Sequence, residues 1–81
     1  MRLDKFLKVS RVIKRRTVAN DACDGGRVSV NGRQAKASAD IKPGDVIEVA
    51  FAAGSVKFEV LSVAETVAKS DASALYRIIE N

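Results

Sequence analysis

The sequence contains no histidine and no tryptophan, and its single cysteine is Cys23. Without histidine there is no imidazole base, no Ser-His-Asp arrangement and no zinc site of the mixed Cys/His kind. One cysteine forms no internal disulfide, so a reduced, cofactor-free chain of the cytosol is the simplest expectation. Aromatic side chains are also scarce: Phe6, Phe51, Phe58 and Tyr76 are all there are. The three phenylalanines fall on apolar faces and read as core, while Tyr76 is ambiguous. No aromatic platform is left for stacking against flat ligands.

Long apolar runs are missing too. Nothing approaches the roughly 20 consecutive apolar residues of a membrane-spanning helix. Lys5, Lys8 and Arg11 interrupt any signal-peptide core. These absences predict no membrane association and a cytoplasmic address. With 81 residues the chain is sized for one domain, residues 1–81. A domain this short buries only about 60% of its unfolded surface, which leaves a thin core and little mass for a catalytic cleft. A non-enzymatic role is expected.

What the chain does have is positive charge at one end. Its 14 lysines and arginines outnumber 10 acids, for a net charge of +4. Residues 1–16 alone hold seven cations (Arg2, Lys5, Lys8, Arg11, Lys14, Arg15 and Arg16) against Asp4, while the remainder is slightly acidic. A solvated surface gains nothing from like charges so close together. A positive end on a slightly negative body suits a polyanion. Arginine predominates over residues 11–16, which fits bidentate contacts to phosphate oxygens. With no stacking platform, a structured RNA held by its backbone is the better ligand. Neutralising about six phosphates would cost roughly a thousandfold in affinity between about 50 and 200 mM salt.

Periodicity places these charges. Over residues 2–10, Leu3, Phe6, Leu7 and small Ser10 share one helical face, with Arg2, Lys5 and Lys8 opposite. Asp4 suits the positive end of that helix dipole. Residues 11–16 connect to a second helix, with Val12 and Ile13 turned inward. That helix carries Val18, Ala19, Ala22 and Cys23 on one stripe, with Asn20, Asp21 and Asp24 facing away. It starts either with Thr17 as cap or near Lys14, and ends at Gly25-Gly26. The small stripe residues allow close helix approach, and Cys23 reads as a buried hydrophobe.

The rest is extended. Residues 27–30 alternate and are followed by Asn31-Gly32, the strongest short hairpin signal. Residues 33–37 return as a short strand. Lys42-Pro43-Gly44-Asp45 suits a type II turn, residues 46–51 form a strand, 52–55 turn it back, and 56–60 alternate with the apolar side inward. Residues 65–73 read as loop with a turn of helix, and 75–79 as a final strand. Gly25-Gly26 follows a helix rather than a strand, so it is a cap and not a dinucleotide fingerprint. Asp21 and Asp24, one turn apart with no third ligand, do not make a metal or acid/base site.

Arg2-Leu3-Asp4, Lys14-Arg15-Arg16-Thr17, Gly26-Arg27-Val28-x-Val30-Asn31-Gly32 and Lys42-Pro43-Gly44-Asp45 together resemble the RNA-binding domain named after small-subunit ribosomal protein S-four. The motifs cover about residues 1–50. The resemblance implies an α+β fold, the alpha-L motif, with two short helices packed on a small antiparallel β-sheet. Among stand-alone members, residues 1–11 and the KRRT, VNG, QAKAS and KPGD stretches are similar to the bacterial ribosome quality control P (RqcP) group. Heat-shock protein fifteen is a near relative that typically bears a long basic tail; this sequence stops at Asn81 without one, which favours the first group.

The resemblance to that group implies binding to obstructed large ribosomal subunits. Contacts to large-subunit rRNA and peptidyl-tRNA are implied, together with an RqcH-type tailing factor that adds C-terminal alanines. Arg2 and Arg16 are the family contacts carried over first, and Arg11, Lys14 and Arg15 share their surface. With Lys5, Lys8, Asn31, Arg33 and Lys36 they are the expected RNA-binding residues, on a chain expected to be a monomer when free. Three other readings compete: a recycling or rRNA-maturation factor of the heat-shock type, a DNA-binding helix pair, and a fragment of an RNA-modifying enzyme or tyrosyl-tRNA synthetase. The absence of any catalytic segment argues against the last.

Overall fold

Two short helices lie on one face of a five-stranded antiparallel sheet in the computed structural model, which describes residues 1–63 and 69–79. The elements are α1 (Leu3–Val9), α2 (Arg16–Asp24), β1 (Val28–Val30), β2 (Arg33–Gln34), β3 (Val46–Phe51), β4 (Gly54–Val60) and β5 (Tyr76–Ile78). The strand order is β2-β1-β3-β4-β5. A 3-10 helix, Lys69–Leu75, precedes β5. The expected loop over residues 65–73 lies in part outside the described residues, and its described end is this 3-10 helix. The expected final strand is β5.

Neither helix is long enough to hold itself in water. Burial holds them. Leu3, Phe6 and Leu7 of α1 are completely covered, as are Ala19 and Cys23 of α2. From the sheet, Ile47, Val49, Phe58 and Val60 close the core. Phe58, mid-β4, stacks on Phe6 with ring centroids 6.4 Å apart and meets the Tyr76 ring edge-on at 5.3 Å. One ring thus joins α1, β4 and β5. Burial pushes the Cys23 thiol up to about 11, aided by the charges of Asp4 and Asp24, so it is an unreactive core group near neutrality.

The turns follow their residue types. Val30 pairs with Arg33 across Asn31-Gly32, both of which have positive φ (53° and 83°), the geometry of a type I′ hairpin. Gly44 has φ 96°, and the Asp45 amide donates to the Lys42 carbonyl at 3.1 Å. These two turns form one unit. The Asn31 side chain donates to Asp45 Oδ1 at 3.1 Å and accepts from the Val46 amide at 2.9 Å, while Asp45 Oδ2 accepts from the Lys42 amide at 3.0 Å.

Several expectations are corrected. Val18 is 47% exposed rather than buried. On a helix, Val18 and Asn20 each lie roughly 100° from the Ala19/Ala22/Cys23 stripe. Helix α1 packs on the Asn20 side, so Asn20 is half-buried against its neighbour rather than turned away from it. Asp24 does not simply face away either: its Oδ1 accepts from the Ala37 amide at 3.1 Å and ties the end of α2 to the following loop. Thr17 is not the cap and Lys14 is not helical, because α2 begins at Arg16 with Arg15 as its N-cap. Phe51 sits on the sheet's apolar face with Ile47 and Val49, but it is 41% exposed. Its cross-strand partner at the hairpin tip is Gly54, which has no side chain to cover it.

Candidate nucleic-acid interface

Asp4 is the centre of the arrangement. It stands in the first turn of α1, only 2% exposed, and its two oxygens take donors from three parts of the chain. Arg2 Nε donates to Oδ1 at 3.2 Å and Arg2 Nη2 to Oδ2 at 3.4 Å. The Lys5 amide donates to Oδ1 at 2.8 Å. From α2, Arg16 Nε and Asn20 Nδ2 both donate to Oδ2, at 3.4 and 3.3 Å. Burial by itself would raise this carboxyl's pKa. The hydrogen bonds from Asn20 and Arg2, the charge of Arg16 and the Lys5 amide outweigh burial and hold it below the ordinary value. Asp4 is therefore a charged anchor.

Local structure makes the convergence possible. Arg2 is fixed by an antiparallel bridge to Asp40, flanked by bonds from the Leu3 amide to the Ala39 carbonyl and from the Ile41 amide to the Met1 carbonyl, each 2.8 Å. Arg16 and Asn20, four residues apart, rise from one face of α2 toward α1. The two arginine side chains stay 50% and 47% exposed while their Nε atoms are held from below. Beside them lies an open depression of about 390 Å³ lined by Arg2, Asp4, Arg16, Thr17, Asn20 and Asp21.

The first turn of α2 has no acid and no side-chain cap, and the last turn has no base. This reverses the order that a helix dipole favours, and it leaves backbone N–H groups beside Arg15 and Arg16 for an anion. In the connection, Arg11 has φ 62°, a left-handed conformation that L-residues adopt at a cost. Among the described residues, no group of three or more Cys, Asp or Glu is placed to hold a metal ion.

Of the expected contacts, Arg2 and Arg16 are brought together. Lys8, Arg11, Lys14 and Arg15 are exposed and Lys5 is half-buried. Arg33, on β2, is exposed, whereas Lys36 lines a separate depression of about 180 Å³ with Asp24 and Gly25 at the far end of α2. The Asn31 side chain is engaged by Asp45 and Val46. The sequence reading missed the anchoring by Asp4 and the part of Asn20. The four-residue spacing of Arg16 and Asn20 was the available signal.

Comparison with known proteins identifies the family. The S4 domain model matches residues 1–47. The chain belongs to the S4 domain family. A relative along nearly the full length of this S4 protein is the RQC P-site tRNA stabilizing factor of Bacillus subtilis, 52% identical over 80 residues, 99% of this chain and 93% of that protein. Among solved structures, heat shock protein 15 of Vibrio cholerae, described as trimeric, superposes with a TM-score of 0.90 at 29% identity, covering 98% of this chain and 81% of that one. The hypothetical protein HP1423 superposes with a TM-score of 0.85 at 34% identity, covering 100% of this chain and 99% of that one. The resemblance to the RqcP group and the α+β fold are thereby shown. No helix among the described residues of this S4 protein is long and apolar enough to cross a membrane.

Proposed function

We propose that this chain is a non-enzymatic RNA-binding factor of bacterial ribosome-associated quality control. It holds the phosphate backbone of structured RNA on the face that Arg2 and Arg16 present, with Lys5, Lys8, Arg11, Lys14 and Arg15 extending that face and Arg33 and Lys36 as further contacts outside it. Its site is the stalled large subunit carrying peptidyl-tRNA, where it contacts rRNA and tRNA and assists an RqcH-type factor in C-terminal alanine tailing in the cytoplasm. The observation that carries this reading is the pair of half-exposed arginines held by one buried carboxylate. Two guanidinium groups fixed in direction lose less freedom on meeting phosphates than two loose ones. The name of the B. subtilis relative supports the tRNA-stabilising part.

Co-sedimentation tests it. The chain, a monomer when free, is expected to travel with large subunits bearing peptidyl-tRNA and not with empty ones, and Arg16→Ala is expected to weaken that binding. Equal binding to empty subunits would favour a recycling factor of the heat-shock type, a reading that the superposition on heat shock protein 15 also supports.

A further inference from the structure

Asp21 is the one charged lining group of the arginine depression that nothing so far accounts for. It lies one helical turn beyond Thr17 on the same side of α2, is exposed, and its carboxylate has no partner among the described residues. Asp4 has a clear task, since its oxygens are filled by five donors. Asp24 also has one, the Ala37 amide. Asp21 stabilises neither the helix, whose last turn repels an acid, nor any tertiary contact. A bare carboxylate beside two phosphate-binding arginines repels the phosphate that they hold. A ligand that brings a hydrogen-bond donor close to its phosphate offsets that repulsion.

RNA carries such a donor on every nucleotide: the ribose 2′-hydroxyl, close to the backbone phosphate and independent of base. DNA has the phosphate without the donor. We propose that Asp21 determines specificity for RNA over DNA, accepting a hydrogen bond from the 2′-hydroxyl of a nucleotide whose phosphate lies on Arg2 and Arg16. Two neutral acceptors stand beside it in the same depression, the Thr17 hydroxyl and Asn20 Oδ1, the latter left over because the Asn20 amide nitrogen is given to Asp4. The site thus pairs donors for the phosphate with acceptors for the sugar. Against DNA the same carboxylate is an uncompensated repulsion, which is discrimination by penalty as much as by attraction. The inference rests on the phosphate-binding reading of Arg2 and Arg16.

The test measures the full chain by fluorescence anisotropy at one salt concentration. Three stem-loops of identical sequence are compared: RNA, DNA and 2′-O-methyl RNA, whose blocked oxygen cannot donate. The unaltered protein is expected to bind RNA about tenfold tighter than either of the others, the usual scale for a hydrogen bond to a charged group. Asp21→Ala is expected to remove about that factor from both ratios, chiefly by tightening DNA, and Asp21→Asn, which keeps an acceptor oxygen, to retain part of it. Because Asp21 is exposed, both variants fold. Unchanged ratios in Asp21→Ala, with all three affinities rising together, would overturn the proposal and leave Asp21 a mere repulsive charge. Arg16→Ala serves as the control, expected to weaken all three ligands alike. If it leaves RNA affinity intact, the phosphate site itself is wrong and the Asp21 proposal falls with it.

Discussion

Arg16 of α2 reaches across the helix pair to donate through Nε to Asp4 Oδ2 of α1 at 3.4 Å, and the two partners are unequally sheltered, 47% against 2% exposed. The carboxylate needs its donors, since it is out of water; the guanidinium does not need the carboxylate to stay solvated. The pair's chief effect is therefore to set the direction of Arg16.

Replacing Arg16 by alanine should accordingly separate binding from folding. A half-exposed ion pair contributes under about 1 kcal/mol once solvent screening is counted, so the melting temperature should move by only a few degrees. Binding to rRNA should fall at all sequences, and the slope of log affinity against log salt should drop by about one phosphate's worth. Equal losses of stability and binding would make Arg16 a structural residue.

Asp4→Asn should do the reverse in part, lowering stability by about 1–3 kcal/mol near neutral pH as the donors around it lose their charged acceptor. The folded carboxyl titrates below its ordinary value. Its contribution is complete above about pH 4 and is lost as the pH falls through the lowered folded value. Urea midpoints taken from neutrality down to about pH 2 should show a flatter acid limb in the asparagine variant. An unaltered limb would mean that another carboxyl controls acid unfolding.

Arg11→Gly should stabilise the protein by about 1 kcal/mol, since glycine occupies a left-handed position without the Cβ penalty. The same change deletes an exposed cation and is expected to weaken RNA binding. A rise in urea midpoint with a fall in affinity is the expected combination.

Asn31→Ala should cost about 2 kcal/mol, from left-handed strain and from loss of the bonds to Asp45 and Val46. Asn31→Gly keeps the turn and loses only the bonds, so its cost should be about half. RNA affinity of the folded fraction should change little in either variant. A selective loss of affinity would return Asn31 to the interface.

Leu7→Asp should fail to fold, because it places an unpaired charge at a completely buried position. A cooperative thermal transition in this variant would mean that α1 buries a different face.

Much of this fold was legible from local patterns. The spacing of Leu3, Phe6 and Leu7 sufficed for α1, and Asn31-Gly32 and Lys42-Pro43-Gly44-Asp45 sufficed for the two turns. What could not be read were relationships across elements. A stripe of small residues does not say which flank its neighbour covers, so periodicity alone cannot tell Val18 from Asn20. An apolar alternation does not say where a sheet outruns its helices, so the exposure of Phe51 is not visible in it. Asp4 near a helix start has a sufficient local explanation in the dipole. Its role as the shared acceptor of Arg2, Arg16 and Asn20 exists only once α1 and α2 are docked.

The reversed charge order of α2 ties the protein's stability to the counter-charge around it. Cations crowd the end of that helix where they are least welcome, and any polyanion that neutralises them relieves the crowding while it binds. Heat tolerance should then climb with polyanion concentration, and by more at low salt, where the affinity is higher. Heparin, which lacks nucleobases altogether, should reproduce much of that gain.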